Sequence, residues 1–207
     1  MYVLKCYIKM PSLIFLKDCV QCLNEFEISE FINDRLEESD VCNSCINNKC
    51  NDDIYVDSAQ NRTTAGTSWC SVTNSKGECI VSKYMNLFGD LKIEKKRLPT
   101  CERYISIVDF DSTNIMKNNS GELLAMVMGL RIAVHTNKKR TLFSDSNLMV
   151  KWWSMNRVNK LTLDKMDSRK VDLINECVML RRKFEKIGGR VEWISGDKNP
   201  ADLGYHK

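Results

Sequence analysis

No run of 18 apolar residues occurs in the 207-residue sequence, and charged residues interrupt its N-terminus. The first absence excludes a membrane-spanning helix. The second, with an apolar segment at Ser12–Leu16 too short for a signal core, excludes a secretory leader. A soluble, intracellular chain without a membrane partner is expected, most simply cytoplasmic, with nuclear and viral settings left open. Polymerase motifs are also missing. Ten cysteines therefore stand without an export signal, and in a reducing compartment they mark a metal site and buried free thiols better than a disulfide framework. The length accommodates one domain of about 150 residues plus a small appendage.

The net charge of +4 conceals an uneven division. Residues 1–52 carry five Lys/Arg and nine Asp/Glu, net −4, whereas residues 53–207 carry 26 and 18, net +8. A basic body suits a polyanionic partner such as nucleic acid, although many soluble domains are as basic without one.

The acidic leader contains Cys19-Val-Gln-Cys22 and Cys42-Asn-Ser-Cys45, two pairs separated by nineteen residues. Each pair places two thiolates on one tight knuckle, and two knuckles complete the tetrahedral sulfur shell of a structural Zn²⁺ site. Phe26, Ile28, Phe31, Ile32 and Leu36 supply a core too small to fold well without the metal. The spacing resembles the treble-clef and ribbon modules appended to many phage and bacterial nucleases. Two reduced pairs without metal are the alternative, and Cys6 and Cys50 are spare ligands. Residues 1–52 are thus expected to form a zinc-binding module. Its negative charge disfavours a broad phosphate contact and leaves a structural role or a protein partner, such as a replication protein.

In the basic body, Ile54–Ala59 predicts a buried strand that delivers Asp57 to its end. Thr67–Thr73 predicts a second strand, and the Asn74–Gly77 turn a third near Glu78–Met85. Residues 86–117 are hard to read, with another possible strand at Tyr104–Phe110; Asp109 and Asp111 are set aside as decoys. Ser120 is a plausible N-cap for an amphipathic helix in which Leu123, Val127, Leu130 and Val134 recur at helical spacing. Glu122 then falls in its first turn, where an exposed acid complementing the helix dipole is the plain alternative to a ligand. Gly129 inside this helix suggests close packing on a strand. Thr141–Ser144 predicts a strand ending in Asp145, followed by a short helix with Trp152 and Trp153 expected in the core. A long helix from about Asp167 to Lys186, basic on its outer face, ends at Gly188-Gly189. Arg190–Ile194 forms the last strand.

Residues 53–207 resemble ribonuclease H of the type 1 family. The family's four metal-binding carboxylates lie on the first strand, the first long helix, the fourth strand and the start of the C-terminal helix, positions matched here by Asp57, Glu122, Asp145 and Asp202. Supporting matches are Asn118-Asn119 ahead of Glu122, Asp145-Ser-Asn147, Val191-Glu-Trp193-Ile-Ser-Gly196 and Asn199-Pro-Ala-Asp202. The resemblance implies an α/β fold, a five-stranded mixed sheet flanked by helices, joined to the N-terminal zinc module. It implies hydrolysis of the RNA strand of an RNA–DNA hybrid, leaving 5′-phosphate and 3′-hydroxyl ends, with two Mg²⁺ or Mn²⁺ ions per site. Hard cations of this kind prefer carboxylate oxygens. Asp57 is assigned as bridging ligand, Glu122 and Asp145 to the first metal, and Asp202 to the second. Asn118, Asn119 and Asn147 are expected to contact the hybrid, and the protein to act as a monomer.

Two departures stand out. Asp197 occupies the loop position where the family often has His, and with five residues after Asp202 little of the C-terminal helix is expected; His206 is expected to have no catalytic role. The alternatives are a ribonuclease H module of a retroelement or viral replication assembly, and an inactive ribonuclease H-like adaptor that binds nucleic acid.

Overall fold

The computed structural model describes residues 5–9, 12–18, 25–27, 53–60, 67–97, 104–109 and 118–202. The chain divides into two compact units, Met1–Asp52 and Asp53–Lys207. In the first, strands β1 (Lys5–Lys9), β2 (Ser12–Asp18) and β3 (Glu25–Glu27) pair antiparallel in that order. Cys19, Cys22, Cys42 and Cys45 lie outside the described residues, as do Asp111 and His206.

The second unit is an α/β fold with a mixed sheet flanked by helices. Its strands are β4 (Ile54–Gln60), β5 (Thr67–Thr73), β6 (Lys92–Arg97), β7 (Tyr104–Asp109), β8 (Thr141–Ser144) and β9 (Arg190–Trp193). Their order across the sheet is β6-β7-β5-β4-β8-β9, six described strands rather than five. The added strand is β6, which lies antiparallel on β7 at one edge. β4 and β5, and β5 and β7, pair antiparallel, whereas β4 and β8, and β8 and β9, pair parallel.

The predicted third strand at Glu78–Met85 is replaced. The Asn74–Gly77 turn forms, with Gly77 N donating to Asn74 O at 3.0 Å and Gly77 at φ +76°, a backbone state that suits glycine. The returning chain makes only one bridge, Thr73 to Cys79, and then enters a 3-10 helix over Val81–Phe88. A kink at Tyr84 interrupts it, and its buried residues Val81 and Phe88 lie seven apart, an odd spacing that a strand would put on opposite faces. The third strand in space is β7.

Helix α1 (Asn118–Thr136) lies on β4, β5 and β8, and residues 120–130 are all buried. A helix apolar all round needs cover on its outer side too. α4 (Ser168–Lys186), which packs against α1, supplies it; its buried apolar residues are Leu173, Ile174, Cys177, Val178, Leu180 and Phe184. Gly129 permits close helix–strand approach: a Cβ there would sit 2.5 Å from Val56 Cγ1 and 3.0 Å from Leu142 Cδ1. Arg131 ties α1 to its neighbours, with Nε donating to Glu176 Oε1 of α4 at 2.7 Å and Nη2 donating to Asp90 Oδ2 at 2.7 Å. These bonds hold the Asp90 carboxyl below its usual pKa.

Short helices α2 (Asn147–Lys151) and α3 (Lys160–Leu163) join β8 to α4. Arg181, expected on the basic outer face, is instead buried and donates to Val150 O and Ser154 Oγ, both at 2.6 Å. Of the two tryptophans expected in the core, Trp153 is buried and Trp152 is 53% exposed. No helix among the described residues is long and apolar enough to cross a membrane.

Candidate metal centre

The centre of the sheet is where antiparallel and parallel pairing meet. β4 pairs β8 through Ile54–Leu142, Tyr55–Phe143 and Val56–Ser144, and there the parallel ladder stops. The next residues on the two strands are Asp57 and Asp145. Parallel strands that part company after their last ladder bond leave a crevice at their carboxyl ends, and here each strand brings a carboxylate to it. Asp57 is not at the end of its strand as expected, because β4 continues to Gln60 against β5, with Asp57 opposite Ser71.

Glu122 arrives from α1. The helix starts at Asn118, so Ser120 lies inside it and Glu122 is its fifth residue rather than a first-turn acid. Gly121 allows the approach, since a Cβ there would meet Ser58 Oγ at 2.8 Å and Ser68 Oγ at 2.9 Å. One carboxylate oxygen from each of Asp57, Glu122 and Asp145 lies within 4.8 Å of the other two. Asp57 and Glu122 are buried, at 3% and 6% exposure, and Asp145 is half-buried.

Enclosing three acids together has an electrostatic cost. Burial first, and then the Asp57 and Asp145 charges, push the Glu122 carboxyl up to about 9; the backbone and hydroxyl of Ser58 oppose this without outweighing it. Glu122 Oε2 remains without a hydrogen-bond partner. Cys70, opposite Ser58 on β5, is a buried free thiol raised by burial and by the same two acids, Glu122 and Asp57. A set of hard oxygen donors with an orphaned buried carboxylate oxygen fits a divalent cation.

The loop after β9 closes on Asp145. Trp193 Nε1 donates to Asp145 O at 2.9 Å, and a Cβ on Gly196 would lie 3.0 Å from Asp145 Oδ2. Asp197 is exposed in a 3-10 turn over Gly196–Lys198. Asp202 is half-buried beyond it and is not part of the three-carboxylate set. Asn119 and Asn147 are exposed near Glu122 and Asp145, while Asn118 opens α1. Ser58, Cys70, Trp193 and Asn199 surround the acids without having been assigned roles from sequence. The conjunction of Asn199 with Asp202 in one four-residue motif was the available signal. No protein-family model, curated protein or solved structure matches this chain.

Proposed function

We propose that the chain is a metal-dependent endonuclease of the ribonuclease H type that hydrolyses the RNA strand of RNA–DNA hybrids. The observation that carries this reading is the convergence of Asp57, Glu122 and Asp145 oxygens within 4.8 Å, at the point where β4 and β8 separate. Such a set is unfavourable unless cations share it. Asp57, Glu122, Asp145 and Asp202 would hold two Mg²⁺ or Mn²⁺ ions, which supply an activated water and neutralise charge on the leaving 3′ oxygen.

The chain's own residues prepare that chemistry. Burial and the neighbouring acids raise the Glu122 carboxyl to about 9, so a cation held there would have to displace its proton. Trp193 fixes the Asp145 backbone, and the bare Cα of Gly196 keeps space beside Oδ2. Asn119 and Asn147, both exposed, and Asn118 at the start of α1 would contact the hybrid beside the acids. In the first unit Cys19, Cys22, Cys42 and Cys45 would hold a structural Zn²⁺ and offer a protein partner an acidic surface.

Cleavage of labelled hybrid with Mg²⁺, with EDTA, and in Asp57→Asn and Asp145→Asn is the test. Both substitutions keep shape and remove charge, and each is expected to lower turnover at least about 10²-fold, as loss of a group that stabilises transition-state charge does. Wild-type turnover by either variant at saturating Mg²⁺ defeats the reading.

A further inference from the structure

Asn199 is 4% exposed, and each end of its carboxamide makes a separate bond. Nδ2 donates to Val56 O at 3.1 Å, across 143 residues of chain. Oδ1 accepts from Ala201 N at 3.1 Å, and the Asn199 carbonyl accepts from Asp202 N at 3.0 Å. The last bond closes a four-residue turn with Asn first and Pro200 second, the positions those residues favour. Asp202 is its fourth residue. Val56 immediately precedes Asp57 and is the last β4 residue in register with β8. One carboxamide therefore fastens the turn that carries Asp202 to the strand that carries Asp57. A residue needed only for the turn would use Oδ1 and leave Nδ2 to solvent. Here the donor is enclosed and committed to a distant strand.

We propose that Asn199 is a positioning residue that sets where Asp202 stands relative to Asp57, Glu122 and Asp145, through its bond to Val56 O. This rests on the metal-binding reading of those four carboxylates. Asn199 contacts no reacting atom and acts through Asp202. Without the bond the turn keeps its internal closure but loses its tie to β4, and the position of Asp202 relative to the other acids is no longer fixed through it.

The test is Mn²⁺ titration of the metal-free full-length protein, without nucleic acid, in wild type, Asn199→Leu, Asp202→Asn and the double variant. Partners that orient metal ligands typically change affinity about 10- to 100-fold. Asn199→Leu is expected to weaken Mn²⁺ binding about tenfold or more in the wild-type background. In the Asp202→Asn background it is expected to weaken it less than about twofold, because coupled residues are not additive. Asn199→Ser is the second variant should Leu prevent folding: its hydroxyl can still accept within the turn but is too short to reach Val56 O. Circular dichroism and the thermal midpoint in EDTA report folding. Additive losses in the double variant, or a lowered midpoint with unchanged Mn²⁺ affinity, overturn the proposal. Wild-type protein whose Mn²⁺ binding is absent or indifferent to Asp57→Asn overturns the metal-site reading itself, an outcome distinguishable from the other two.

Discussion

Glu122 is the residue whose ionisation the fold alters most usefully. Its carboxyl rises from 4.5 to about 9, chiefly through burial. The unfolded chain releases this proton near pH 4.5 and the folded chain holds it to about pH 9, so the native state binds more protons across that interval. The stability contributed is complete below the lower value and is lost as pH rises through the upper one. Metal-free protein should therefore show a thermal midpoint that falls between these pH values, with the slope reduced in Glu122→Gln. Mn²⁺ affinity should rise over the same interval, because binding expels the proton. A midpoint in EDTA with the same pH dependence in Glu122→Gln as in wild type counts against this. Asp57, Glu122 and Asp145 were singled out by the order of their motifs along the chain, since each alone reads as a turn former or as an exposed acid at a helix start. Asn199 was not, because an Asn before Pro reads as a turn former and nothing local reveals a bond to Val56.

At the scale of the element, β4 and α1 must approach closely for Glu122 to reach the strand acids. Gly129→Ala tests that approach. Ala is the better helix former by about 1 kcal/mol, but the new methyl would meet Val56 Cγ1, a stiff branched side chain in a buried strand. Overpacking typically costs about 1–3 kcal/mol, and a net loss of about 1 kcal/mol in urea unfolding is expected; a stabilised variant would show that helix and strand have room to part. Gly129 was legible as a packing device, and the C-terminal turn of α4 likewise, with Gly188 at φ +86°. Periodicity failed where two rhythms share apolar residues. Val81 and Phe88 would face opposite sides of a strand, and the segment instead forms 3-10 turns on either side of a kink at Tyr84. Arg181 was read by its charge, yet its guanidinium is enclosed by carbonyl and hydroxyl acceptors that come from a segment 27 to 31 residues earlier.

At the scale of the whole chain, the four acids and the cysteine pairs fall in different compact units. If Cys19, Cys22, Cys42 and Cys45 form one sulfur site, elemental analysis of purified protein should find about one zinc per chain. Cys22→Ser should lose that zinc while cleavage of short hybrids persists; metal-free wild-type protein, or loss of cleavage in step with loss of zinc, would contradict this. The larger unit carries one more consequence in its outermost strand. Five of the six residues of β6 are charged, in the order Lys-Ile-Glu-Lys-Lys-Arg. Among the described strands it forms one border of the sheet. A sheet border can invite another extended chain to dock, and a lysine-rich border sequence disfavours pairing with a second copy of itself. That effect is ionic and fades as the Debye length shrinks to about 3 Å at 1 M salt. Concentrated brine, a natural choice for stripping nucleic acid from a basic protein during purification, is therefore the condition most apt to let this border aggregate.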